Sequence, residues 1–128
     1  MRKPLSFIWQ GFPIPHYLRN EMELDEYQNK AMEYRLATAN EAYALFNLAA
    51  EVGELLGLVA KFIRDGGSAE DEEVLGDKLK KELGDIMWML AAVSADANLT
   101  LSEICTVNLA KLEDRKSRSQ IKGSGDNR

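Results

Sequence analysis

The sequence is poor in the residues that most often do chemistry: it has one cysteine and one histidine. Cys105 cannot close an internal disulfide, which suits a reducing compartment. Its neighbours Ile104, Val107 and Leu109 make it a small core side chain in prospect. One His and one Cys also cannot build a structural zinc site or a His-containing di-iron site. All three prolines, Pro4, Pro13 and Pro15, precede residue 23, so nothing beyond that point interrupts a helix. There is no unbroken apolar run of about 18 residues and no signal-peptide pattern. No period-two strand pattern is visible. Excess positive charge is missing as well: the net charge is −5, which argues against stable nucleic-acid binding. The expected setting is the cytoplasm, with no membrane and no nucleic-acid partner.

What is present fits one globular domain: 128 residues, 45% apolar and 29% charged. Residues 1–22 are expected to be an irregular N-terminal extension carrying Phe7, Trp9, Phe12 and Tyr17. Residues 23–128 are a helical body ending in a basic tail. The first helix is expected from Leu24 to about Thr38. The second runs from near residues 39–41 to about Asp65, with Leu45, Leu48, Val52, Leu55, Val59 and Phe62 at steps of three and four. Gly66 and Gly67 end it. A third is expected from about Val74 to Asn98. Its middle, IMWMLAAVSA, is apolar on every side, as in a helix buried all round, and a second subunit is expected over its outer face. Thr100-Leu101-Ser102-Glu103 is a capping box that opens a fourth helix reaching about Arg118. IKGSGDNR is too rich in glycine and polar residues to be helical. The fold class is all-α, bundle-like, with four helices.

Two apolar segments each carry a pair of acids. Glu51 and Glu54 lie in LAAEVGELLGLVAKF; Glu82 and Asp85 lie in KKELGDIMWML. Residues three apart sit about 60° apart around a helix and one turn along it, so each pair faces one way. Helices joined by a short loop pack antiparallel, and that lets the pairs meet. Four ionised carboxylates in one place repel and lose hydration unless protons or cations neutralise them. Oxygen donors of this kind suit Mg²⁺, with Mn²⁺ as a substitute. Glu51 or Glu54, if not fully engaged as a ligand, is the candidate base for a water nucleophile. Gly53 and Gly84, one inside each pair, would let helices or a ligand come close. Lys61, two turns beyond Glu54, is either a phosphate contact or a solvated lysine that suits the helix C-terminus.

These segments, with NLAKLEDRKSR at 108–118 and the closing KGSGDNR, resemble the MazG-like all-α nucleoside triphosphate pyrophosphohydrolases over about residues 24–128. One departure is Ala50, where many relatives carry a further acid. The resemblance implies a MazG-type fold working as a homodimer or dimer of dimers, and Mg²⁺ held by Glu51, Glu54, Glu82 and Asp85. It implies cleavage of a (deoxy)nucleoside triphosphate between its α- and β-phosphates, for pool control or house-cleaning, with Asn108, Lys111 and Arg115 as phosphate or base contacts. The tail, Lys122 included, is placed to close over the triphosphate or else to be a solvated end. Two other readings stay open: a non-catalytic helical interaction or regulatory module, and a phosphoribosyl-ATP pyrophosphohydrolase-like activity.

Overall fold

The computed structural model describes residues 22–126. The expected N-terminal extension, with Trp9 and Phe12, lies outside the described residues. Within them the chain is all-α, with four helices and no strand: α1 (Leu24–Glu33), α2 (Glu41–Asp65), α3 (Ala69–Asp96) and α4 (Leu101–Ser117).

α1 is shorter than its sequence predicts. It stops at Glu33 because Arg35 is turned out of the helix to grip other elements. The Arg35 guanidinium donates to both Asp96 carboxylate oxygens at 2.7 and 2.9 Å and, through Nε, to the Ala39 carbonyl at 2.8 Å. This fork-to-fork pair fastens the α1–α2 connection to the end of α3. Asn40 caps α2 by accepting from the Tyr43 amide.

α2 ends in a left-handed Gly66 (φ 66°), with the Gly67 amide reaching back to the Phe62 carbonyl. Gly67 leaves room for the Phe62 ring, which would have to shift for a Cβ there. α3 begins five residues earlier than the sequence reading placed it, at Ala69 rather than Val74. Ser68 and Asp71 form a reciprocal capping box, and Asp71 and Glu72 fall in the first turn, where the helix dipole favours negative charge.

α2 and α3 form an antiparallel hairpin, and α1 packs across α3. The core of that packing is Ala31, Ala91 and Leu101, with Tyr27, Met32, Met87 and Trp88 against it. The Trp88 indole donates to the Ala31 carbonyl at 3.2 Å, satisfying its one polar group. α4 meets α1 only near its start, and its first three amides are all paired. The Leu101 amide donates to Gln28 Oε1, the Ser102 amide to Asp25 Oδ1, and the Glu103 amide to Thr100 Oγ1.

Beyond that start no other helix covers α4 among the described residues, and the C-terminal tail lies against it at Arg115. Cys105, expected in the core, is therefore exposed, as are Val107, Leu109 and Leu112. The all-round burial expected for 86–95 is also incomplete among the described residues. Met89, Ala91 and Ala92 are buried, but Leu90 is exposed. α2 is more open still: of its 25 residues only Ala44 is buried.

Candidate metal centre and anion site

Three of the four predicted acids converge. Glu51 from α2 and Glu82 and Asp85 from α3 each offer a carboxylate oxygen within 4.8 Å of the others. Glu54 is exposed and lies outside this triad, near enough for its charge to act on Glu51. The separation fits a small cation. Two oxygens on one Mg²⁺ lie about 3 Å apart when adjacent and about 4 Å apart when opposite, given bonds of about 2.0–2.1 Å. A shift of under an ångström in flexible side chains closes the difference. The all-carboxylate donor set selects a hard cation over zinc or copper.

Glu51 shows the cost of assembling the triad. Burial pushes its carboxyl above the ordinary 4.5; the Asn47 amide works the other way, and the charges of Asp85, Glu54 and Glu82 add to the rise. Asn47 Nδ2 donates to Glu51 Oε1 at 2.9 Å. It sits one turn before Glu51 on the same face, so it fixes the carboxylate's orientation and leaves the second oxygen for a ligand. Tyr27 looks in from α1. Burial raises its phenol above the ordinary 10, and the neighbouring Asp85 charge raises it further. Neither Asn47 nor Tyr27 stood out in the sequence. Asn47 had a usable signal, a polar residue four before the first acid; Tyr27 had none, because its place depends on how α1 crosses α3.

Gly53 and Gly84 do not mark a close approach inside the protomer: a Cβ at either would meet nothing within 4 Å. Lys61 is not with the acids. It is exposed and lines a separate groove with Asp65, Asp71, Val74 and Lys78, about 15 Å along the axis from Glu51 at 1.5 Å per residue. One turn past Asp85 on the other side, an apolar cavity of about 170 Å³ opens between Tyr34, Tyr43, Trp88 and Met89.

On α4, Asn108, Lys111 and Arg115 follow at steps of three and four. Asn108 is exposed and Lys111 partly so, whereas the Arg115 side chain is 6% exposed. Arg115 Nη2 reaches the Gly125 carbonyl, the Asp126 carbonyl and Asp126 Oδ1 at 3.0–3.4 Å. Lys111 Nζ meets the same carboxylate oxygen at 3.2 Å. The two cations hold the Asp126 carboxyl below its ordinary 3.8, the Lys111 hydrogen bond most strongly. Lys122 is exposed in the tail.

A helical hairpin that gathers three carboxylates, with Lys111 and Arg115 on a further helix, places the chain among all-α proteins with an acidic cluster that could hold a cation. The family model of the MazG nucleotide pyrophosphohydrolase domain matches residues 39–119, which contain the triad and the α4 cations. The chain belongs to that family. It is similar to the Gene 37 protein of Mycobacterium phage L5, at 40% identity over 87 residues that cover 68% of this chain and 75% of that protein. No solved structure matches the chain significantly.

Proposed function

We propose that the protein is a Mg²⁺-dependent nucleoside triphosphate pyrophosphohydrolase that releases a nucleoside monophosphate and pyrophosphate. The observation that carries this reading is the convergence of Glu51, Glu82 and Asp85 from two helices in a family of nucleotide pyrophosphohydrolases. Glu51, Glu82 and Asp85 would hold a divalent cation, with Asn47 orienting Glu51, and when bound it would supply charge neutralisation and Lewis acidity toward phosphate oxygens. Glu54, exposed and outside the triad, takes the proton of the attacking water, a role that requires a carboxylate with a free oxygen. Asn108, Lys111, Arg115 and Lys122 receive phosphate oxygens. The base enters the cavity walled by Tyr34, Tyr43 and Trp88, whose apolar lining suits a flat ring. Lys61, in its own groove, has no part in this reading.

The active form is a homodimer or dimer of dimers. What supports this is the unused apolar surface of α2 and α4, together with helix glycines that face open space.

The test is a panel of canonical and modified ribo- and deoxynucleoside triphosphates with Mg²⁺ or Mn²⁺, with pyrophosphate and monophosphate both measured. Equal release of the two products supports the reading, and orthophosphate with a diphosphate assigns a different bond. No release from any of them, phosphoribosyl-ATP included, leaves a non-catalytic helical module.

A further inference from the structure

We infer that the C-terminal tail is an internal competitor for the anion site of α4: the Asp126 carboxylate occupies the place of a substrate phosphate between Lys111 and Arg115. The inference rests on the nucleotide reading for the identity of the ligand, and on the geometry for the competition.

Arg115 is almost wholly removed from solvent, yet its fork is half used. Nη2 alone faces three oxygens of the tail, two of them main-chain carbonyls. Nε is buried and has no partner among the described residues. A buried guanidinium nitrogen without an acceptor is costly, and the Nε–Nη2 edge is shaped for two oxygens of one planar or tetrahedral anion. A single carboxylate oxygen shared with Lys111 does not fill that edge. A phosphate does: it brings three oxygens and up to two charges.

The occupant is also easy to remove. The Asp126 side chain is 83% exposed, against 6% for Arg115, so the acid gives up little burial on leaving. Two glycines with positive φ precede it, Gly123 (φ 118°) and Gly125 (φ 85°), a backbone region that glycine enters without a Cβ clash. A cation pair closed by its own chain is open only part of the time, and the apparent affinity for a competing anion falls by that fraction.

The experiment uses the full chain without metal and inorganic pyrophosphate as the probe, with binding measured by titration calorimetry. With the Asp126 side of the pair open to solvent, Asp126→Asn is expected to bind pyrophosphate about two- to fivefold more tightly than the wild type. Trypsin cleavage after Lys122 reports the tail itself: pyrophosphate is expected to accelerate it in the wild type. Arg115→Gln is expected to lose pyrophosphate binding and to be cut rapidly with or without the anion. Unchanged or weaker binding by Asp126→Asn overturns the inference and makes Asp126 a brace for Arg115. So does pyrophosphate binding by Arg115→Gln at wild-type strength. Because the readout is anion binding without turnover, failure of the enzymatic reading leaves this result standing, and the reverse also holds.

Discussion

Glu51 and Glu54 occupy one turn of one helix, yet they stand in different surroundings. Glu51 is half-buried, tied to Asn47 and grouped with Glu82 and Asp85; Glu54 is open to water. Substitution should therefore separate two roles. Asp85→Asn is expected to abolish Mg²⁺ binding, and with it a metal-dependent stabilisation of about 2.7 kcal/mol at a hundredfold excess over Kd. Without metal its melting temperature should be no lower than that of the wild type, since one like charge leaves the cluster. Glu54→Gln should keep the metal-dependent shift and lose turnover by about 10²–10⁴-fold, the usual worth of a general base. Thermal melts with and without Mg²⁺, paired with pyrophosphate release, check both; a Glu54→Gln protein that no longer responds to Mg²⁺ would return Glu54 to the ligand set. The spacing of the acids made this site legible in the sequence. Which three converge was not, because that depends on the rotation of α2 against α3, set by apolar contacts that spacing does not encode.

At the scale of the element, α4 shows where local signals end. Its capping box was plain in Thr100 and Glu103, and the structure has it. The other two amides of its first turn are met by Asp25 and Gln28, more than 70 residues away in sequence, and no local pattern announces such partners. The same limit shortened α1, whose last expected turn gives way to the Arg35–Asp96 clamp. Gln28 is buried and bonded at both ends, to the Leu101 amide and the Leu99 carbonyl. Gln28→Leu leaves both groups unmet, and a loss of about 1–3 kcal/mol is expected in urea unfolding. Asp25 adds a pH dependence. The Ser102 hydroxyl, and after it the Ser102 amide, lower its pKa below the ordinary 3.8. A lowered carboxyl pKa contributes stability that is full above the unfolded value and is lost as pH falls through the folded one. Stability should therefore decline below about pH 4, and Asp25→Asn should be less stable than the wild type at neutral pH and flatter in that acid range.

For the whole molecule, the decisive feature is a second apolar seam on α2. One stripe, Leu48, Leu55, Val59 and Phe62, is half-buried toward α3. On the opposite side Phe46, Ala49, Gly53, Leu56, Ala60 and Ile63 follow at steps of three, four, three, four and three, and every one is exposed. That is the a/d spacing of a helix that packs against another helix, and the small residues at 49, 53 and 60 allow a close approach. The same composition lets α2 pass, by length and hydropathy alone, for a membrane span. In a bilayer, however, Glu51 and Glu54 would sit near mid-depth, at roughly 2.5–3.5 kcal/mol for each charge on insertion scales. A second copy would cover the seam without that cost and leave the acids on their own face. The wild type should then elute as a dimer or tetramer without detergent, and its melting temperature should rise with protein concentration. Phe46→Glu or Leu56→Glu places an unpaired charge in the closed seam, at a cost of several kcal/mol, and should yield a monomer with unchanged helix content. Gly53→Ala divides the effects: it favours the helix by about 1 kcal/mol in the protomer and crowds the seam in the assembly. Light scattering on these three variants and the wild type checks the assignment, and a wild type that stays monomeric at every concentration, or that stays in solution only with detergent, removes it.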